Sequence, residues 1–183
     1  SLLPPALTPE MVRQVRNFAP DVFCLTDQAQ SLDVPQLAWD DVMRDAADPP
    51  ADAAFDVPQI AASRPAAIVY TSGSTGVPVA HRKTWGGLVQ SVRAEAQRLG
   101  LDDGRRHTIV ATVAPQHMYG FESTVLIALQ SGAALAASHP FYPADICAEL
   151  ARAPRPSLLV TTPIHLKALL ASGLRIPPLD LVL

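Results

Sequence analysis

The chain is organised around one short stretch, Ala66-Ala67-Ile68-Val69-Tyr70 followed by Thr71-Ser72-Gly73-Ser74-Thr75-Gly76. The first five residues form an apolar run that is typical of a buried strand, and a helical pattern begins at Thr84. A strand, a loop of glycine and hydroxyl residues, and then a helix form a setting in which backbone N–H groups face a phosphate. We therefore predict an anion-binding loop over residues 71–76. The alternative is a tight turn that binds no ligand.

The sequence after this loop alternates between two periodicities. Apolar runs predict strands, and segments of helical spacing lie between them. This alternation predicts an α/β fold, with a mostly parallel sheet flanked by helices. The predicted strands cover residues 66–70, 107–113, 133–137, 157–162 and 179–183, and the helices cover residues 84–99, 121–130, 143–153 and 163–172.

The first part of the chain predicts fewer elements. A capping hydroxyl, a proline and an acid at Thr8-Pro9-Glu10 indicate a helix start, with a short buried strand at residues 21–26 and helical turns at residues 39–46. Residues 48–58 read as a linker because they are rich in Pro, Ala and Asp. We thus expect residues 1–58 to form a leading α/β segment with its linker. Residues 59–183 are the loop-bearing α/β portion of what we predict to be one incomplete domain.

The bulk composition excludes several classes of function. The 183 residues are 49% apolar and carry a formal net charge of −3, so nothing indicates a nucleic-acid partner. No run of 18 apolar residues predicts a transmembrane segment. The two cysteines, Cys24 and Cys147, are too few for a disulfide framework or a zinc site, so we predict reduced, buried thiols in a cytoplasmic protein and no metal site.

A family resemblance strengthens the prediction for the loop. Residues 70–78, Tyr-Thr-Ser-Gly-Ser-Thr-Gly-Val-Pro, resemble nine consecutive positions of the signature of the adenylate-forming superfamily, which contains acyl-CoA synthetases, luciferases and the adenylation domains of peptide synthetases. The resemblance implies part of the N-terminal domain of the acetyl-CoA synthetase-like fold, with ATP phosphates held by Thr71, Ser72, Gly73, Ser74, Thr75 and Gly76. Val79 stands where the family usually has lysine and Ala80 where it has glycine. We predict that Arg82 or Lys83 supplies the missing charge.

A second string resembles another family motif. Residues 114–120 match a Pro-x-x-His-x-x-Gly pattern whose histidine lies at the acid pocket, which implies His117, Tyr119 and Gly120 as pocket residues. The alternative is a structural histidine that caps a loop. The other histidines lack such support and are expected to be surface or structural residues; they are His81, His107, His139 and His165. Thr161 and Thr162, at the end of a predicted strand, either approach the pocket or only start the next helix.

The resemblance implies an ATP-dependent ligase that activates a carboxylic acid. Carboxylate and ATP, with Mg²⁺ bridging the phosphates, would give acyl-adenylate and pyrophosphate, and the acyl group would pass to the thiol of CoA or of a carrier-protein phosphopantetheine. The variant motifs resemble ligases of bacterial aryl-polyene or pigment clusters, which implies an aromatic or fatty acid.

We interpret the chain as an internal fragment that requires the rest of its own polypeptide. The family's adenine-binding, ribose-binding and lysine motifs do not occur in the 183 residues, so the fragment is expected to be inactive and no catalytic residue is assigned within it. The alternative function is a non-catalytic module that binds an anion or nucleotide, an interpretation that Val79 favours.

Overall fold

The computed structural model describes residues 8–27, 32–45, 58–71 and 79–183. Residues 72–76 of the predicted phosphate loop and most of the predicted linker lie outside these ranges. The chain divides into two compact units, with the boundary between Gln59 and Ile60. Each unit is described by itself below.

Within its described residues, the unit before this boundary has two helices and two short strands. Helix α1 (Pro9–Phe18) begins as predicted, because the Thr8 hydroxyl accepts a hydrogen bond from the backbone N–H of Met11 at 3.3 Å. Strands β1 (Cys24–Thr26) and β2 (Gln36–Ala38) pair in parallel, and helix α2 (Trp39–Asp45) follows. The strand predicted over residues 21–26 is present as β1, but its predicted burial is wrong. Phe23 and Leu25 are largely exposed, since a sheet of two strands offers few neighbours to cover an apolar side chain.

The second unit opens with an antiparallel hairpin. Strand β3 (Pro65–Thr71) pairs with strand β4 (Val79–Thr84), and Thr71 lies opposite Val79. The sequence predicted a strand, a loop and then a helix from Thr84, and it did not predict this second strand between the loop and the helix. The polar run from His81 to Lys83 gives this strand no apolar alternation, so periodicity did not reveal it.

Helix α3 (Trp85–Arg98) begins after β4, where the Thr84 hydroxyl accepts a hydrogen bond from the N–H of Gly87 at 3.3 Å. Its buried residues are Leu88, Val92 and Ala96, which confirms the predicted apolar stripe.

A four-stranded parallel sheet forms the centre of the unit, in the order β6-β5-β7-β8. The side chains of the two central strands alternate between two cores, one containing the α3 stripe and the other covered by helices α6 and α7. The predicted parallel sheet flanked by helices is thus confirmed for the strands after α3, whereas the strand predicted at residues 66–70 is not part of it and pairs antiparallel with β4. The bounds are β5 (Thr108–Ala111), β6 (Ala134–Leu135), α6 (Pro143–Arg152), β7 (Ser157–Val160), α7 (Pro163–Ala171) and β8 (Leu181–Val182).

The connection from β5 to β6 is helical, as predicted, but it has three parts. Helix α4 (Met118–Gly120) leads into a π-helical segment (Phe121–Leu126) and then into helix α5 (Ile127–Ser131). The sequence did not indicate the π-helical segment, and such segments are frequent at functional sites.

The cysteines agree with the prediction in part. Both Cys24 and Cys147 are free, as predicted, but they are half-buried, whereas the prediction was that they are buried. Among the helices in the described ranges, none combines the length and the apolar character that crossing a membrane requires.

Candidate functional site

A cleft of about 800 Å³ opens at the carboxyl ends of β5 and β7. In open α/β sheets this is the edge at which ligands bind. We call it the strand-end cleft. The residues that line it include Thr112, His117, Tyr119, Phe141, Thr162 and His165.

The structure places His117 in the strand-end cleft, directly before α4. Its backbone is held on both sides, because its N–H donates to the Ala114 carbonyl at 3.1 Å and its carbonyl accepts from the N–H of Phe121 at 2.8 Å. The imidazole makes no capping hydrogen bond to the helix. The side chain is therefore directed to the cleft without a capping role.

Tyr119 connects the loop after β5 to the end of β7. Its hydroxyl donates to the Thr161 carbonyl at 3.2 Å, and a second link joins the hydroxyls of Thr112 and Thr161 at 2.8 Å. Burial, with the charge of Glu95 as a smaller contribution, raises the pKa of the Tyr119 phenol. Tyr119 is thus held as a protonated donor in the wall of the cleft.

Gly120 supports the site without lining it. A β-carbon at this position would lie 2.2 Å from the Ala114 carbonyl oxygen and 2.8 Å from its carbon. Only glycine permits this approach between α4 and the loop after β5. The Gly120 carbonyl in turn accepts a hydrogen bond from the Thr124 hydroxyl in the π-helical segment.

The predicted phosphate-binding residues are only partly described. Ser72, Gly73, Ser74, Thr75 and Gly76 lie outside the described residues, and Thr71 is described through its backbone alone.

Tyr70, one residue before Thr71, carries a buried hydroxyl that has no hydrogen-bond partner in the described part of the chain. Burial also raises the pKa of this phenol.

Arg82 and Lys83 lie on opposite faces of the hairpin. Lys83 pairs with Ala67, which packs in the core with α3, whereas Arg82 pairs with Ile68 and is exposed. Burial raises the pKa of the Glu122 carboxyl, and the nearby charge of Lys83 opposes that rise. Lys83 is therefore the cation on the side of the π-helical segment.

Two residues that sequence reasoning assigned to the surface or to structural roles, His139 and His165, line the cleft together with Phe141. The available signal was their position after the predicted strands β6 and β7, whose carboxyl ends meet β5 at one edge of the sheet. Thr162 also lines the cleft, whereas Thr161 is buried behind it.

The remaining histidines lie elsewhere. His107 is buried, and its Nε2 is 3.0 Å from Asp103 Oδ1, which is a structural role as predicted. His81 is exposed on β4.

The cleft carries little charge. Apart from histidine, none of the described residues that line it has an acidic or basic side chain, and most of its surface is apolar. Across the described ranges, no three His, Cys, Asp or Glu side chains are grouped so as to bind a metal ion. The arrangement suits a mostly uncharged organic ligand, with the hairpin loop adjoining β3 and β4 as the candidate site for phosphates.

Comparison with known proteins points to one family. A sequence model described as "AMP-binding enzyme" matches residues 5–179. A 4-coumarate–CoA ligase from Halorhodospira halophila is 33% identical over 108 residues, which cover 58% of this chain and 25% of the ligase.

Solved structures agree with this match in fold. The o-succinylbenzoate CoA synthetase of Bacillus subtilis, bound to an acyl-adenylate, has a TM-score of 0.77 at 20% identity and covers 98% of this chain and 47% of that one. A malonyl-CoA ligase with methylmalonyl-CoA and AMP has a TM-score of 0.66 at 18% identity and covers 86% of this chain and 33% of that one. The chain spans less than half the length of these relatives.

Proposed function

This chain belongs to the family of AMP-binding enzymes, and from that premise we propose that it forms part of an ATP-dependent ligase that activates a carboxylic acid as its adenylate. The observation that carries the proposal is the strand-end cleft with His117 and Tyr119 in its wall, in the same compact unit as the hairpin that bears the phosphate-loop sequence. A site for an acid and a site for phosphates are the two parts that adenylation needs.

In this proposal the loop over residues 71–76 binds the β- and γ-phosphates of ATP. Backbone N–H groups and small hydroxyls stabilise the charge that develops on the pyrophosphate leaving group, in the manner of an oxyanion hole. Lys83 supplies the cation that Val79 lacks, since it lies on the core-facing side of the hairpin. Arg82 lies on the other face and is the weaker candidate.

Mg²⁺ fits this donor set as a companion of ATP. The loop offers hydroxyls and amides and no carboxylates, so we propose that the ion is held mainly by the phosphates and water, and neutralises their charge. The Bacillus subtilis synthetase has also been solved with ATP and a magnesium ion.

The cleft binds the organic part of the acid. His117 and Tyr119 shape its wall, and Gly120 permits the close packing that holds them in place. We propose an aromatic or fatty acid as substrate and CoA as acyl acceptor, with a carrier-protein phosphopantetheine as the alternative acceptor. The CoA ligases among the relatives support the first acceptor.

Acid-dependent exchange of labelled pyrophosphate into ATP tests the proposal. The protein encoded by the complete reading frame is incubated with a panel of aryl and alkyl carboxylic acids, and exchange should appear with at least one of them. His117→Ala should lower kcat/KM for the acid about tenfold or more, because in this proposal the residue forms part of the wall that positions the acid. The absence of exchange with every acid would refute the proposal.

The second candidate function is a non-catalytic module that binds a nucleotide or another anion. The exposed Val79 in place of a cation favours it. Calorimetry with ATP and Mg²⁺, together with the exchange assay, separates the two functions. The module would bind ATP in calorimetry and show no acid-dependent exchange.

A further inference from the structure

His165 is the cleft residue whose surroundings are most fully defined. It lies in the first turn of α7, where the Thr162 hydroxyl is 3.0 Å from its Nδ1 and accepts from its backbone N–H at 3.5 Å. Its ring meets the Phe141 ring edge-on, with centroids 4.9 Å apart and an interplanar angle of 77°. A contact from the N-cap of its own helix and one from Phe141, in a different segment, therefore hold it in the cleft wall.

The Thr162 hydroxyl can donate its hydrogen to Nδ1 while its oxygen accepts the backbone N–H of His165. In that tautomer Nδ1 is an acceptor and the ring proton lies on Nε2. Within the described residues nothing hydrogen-bonds to Nε2, so this N–H is a donor available to a ligand.

The other residues that line the cleft indicate which kind of ligand this donor would bind. Apart from its histidines, the described lining of the cleft offers a second charge on the ligand no ionic partner, so desolvating that charge there would be costly. The Phe141 ring favours an aromatic neighbour, since aromatic pairs are stabilised at centroid separations of about 4.5–7 Å. An aryl acid whose single charge is the reacting carboxylate fits both conditions.

We propose that His165 is a specificity-determining residue that donates a hydrogen bond from Nε2 to an uncharged oxygen on the ring of an aryl monocarboxylic acid. Thr162 and Phe141 are positioning residues for this imidazole. The inference rests on the proposed adenylation function and names the substrate class of the same cleft.

Cinnamic acid and its 2-, 3- and 4-hydroxy derivatives are the probes, because they differ by one ring hydroxyl. In the complete protein, kcat/KM for pyrophosphate exchange should be higher for one hydroxylated isomer than for cinnamic acid. His165→Phe keeps a ring against Phe141 and should reduce this preference about tenfold, which is the cost of one buried hydrogen bond to a ligand. His165→Gln retains a donor near the position of Nε2 and should restore part of the preference.

The Thr162 variants provide a matched pair. Thr162→Ser keeps the hydroxyl that orients His165 and should keep the preference, whereas Thr162→Val should weaken it. A purely structural role would lower kcat/KM equally for all four acids and leave their ratios unchanged, and that result would overturn the inference. Circular dichroism identifies a variant that does not fold, in which case the His165→Gln and Thr162→Ser ratios decide.

The two proposals fail in different ways. Exchange with cinnamic acid and no preference for any hydroxylated isomer would overturn the role of His165 and leave adenylation intact. Exchange that requires a second carboxylate or an amino group on the acid would do the same. No exchange with any acid would remove the proposed function and this inference together.

Discussion

The hairpin of β3 and β4 and the strand-end cleft differ in how clearly the sequence indicates them. The hairpin bears a nine-residue signature, and the chemistry that we propose for it depends on backbone groups of residues 71–76. The cleft bears a looser motif, and its chemistry depends on side chains from three strand ends brought together by the sheet. A function that depends on consecutive backbone groups can be recognised as a contiguous motif in the sequence. A function that depends on side chains from distant segments appears in the sequence only as isolated residues.

The two regions also differ in tolerance to change. The proposed phosphate binding by residues 71–76 relies on two glycines and on small hydroxyl side chains, so larger side chains there should weaken it. In the cleft the lining side chains face open space, whereas the packing beneath them at Gly120 leaves no room for an added β-carbon. The predictions below separate these cases.

The largest effect is expected at Gly120, beneath the cleft. Gly120→Ala puts a β-carbon 2.2 Å from the Ala114 carbonyl oxygen, so α4 or the loop after β5 must move. We expect a loss of about 3 kcal/mol in the free energy of unfolding, because both groups that clash are backbone in a buried position. Urea denaturation followed by circular dichroism measures it.

Gly87→Ala is the matched control in the same unit. Its new β-carbon would meet the Thr84 hydroxyl at 3.2 Å at an exposed helix start, and this neighbour is a side chain that can shift. The expected change is within about 0.5 kcal/mol. Equal losses in the two variants would mean that the tight packing under the cleft has no special role.

The hairpin is tested by its two cations. Lys83→Ala should raise the KM for ATP about tenfold, because a charge-assisted contact to phosphate is lost. Arg82→Ala should have a smaller effect, since its side chain lies on the opposite face. Pyrophosphate exchange at varied ATP concentrations gives both values, and a larger effect of Arg82→Ala would reverse the assignment of the phosphate-facing side.

The amino ends of the same parallel strands provide a third test. Asp180 accepts from Arg155 at 2.6 and 3.0 Å and from the N–H of Ser157 at 2.8 Å, which ties the start of β7 to that of β8. These contacts lower the pKa of Asp180 to about 2, from an ordinary value of 3.8. The stabilisation is therefore present above pH 3.8 and is lost as the pH falls through about 2.

Asp180→Asn should lower Tm by about 2 °C at pH 7 and by progressively less as the pH approaches 2. Thermal melts at both pH values measure this, and acid-dependent exchange at pH 7 should stay close to that of the unsubstituted protein. A marked loss of exchange would mean that the two ends of the sheet are not independent.

Patterns of apolar residues predicted the parallel sheet and its helices because β5 and β7 are short apolar runs buried on both faces. They missed β4, whose exposed polar residues pair through backbone atoms that no side-chain periodicity records. They also missed the π-helical segment, since its change of hydrogen bonding leaves the apolar spacing nearly unaltered.

The site was predictable in a similar way. His117 and Tyr119 lie in a motif, and the structure places both in the cleft. His139 and His165 are single residues after strands that are distant in sequence, and only the order β6-β5-β7 brings them together. Arg82 and Lys83 could be assigned to opposite faces only from the register of β4, a strand that the sequence analysis did not predict.

The smallest predicted effect concerns Glu122, which lies between the two regions. Burial raises the pKa of its carboxyl above 4.5, with Lys83 of the hairpin opposing and Glu95 of α3 adding to the rise. A raised carboxyl pKa means that the native state binds the proton more tightly, so the charged form costs stability above this pKa and nothing well below 4.5.

Glu122→Gln should therefore stabilise the protein at pH 7, by up to about 0.5 kcal/mol given partial exposure, and not at pH 3. Urea denaturation at both pH values measures the difference, and in a Lys83→Ala background the gain at pH 7 should increase because the opposing cation is gone. A loss of stability at pH 7 would instead mean that the pair of Lys83 and Glu122 holds the hairpin against the π-helical segment, so that the phosphate and acid regions are joined by charge as well as by packing.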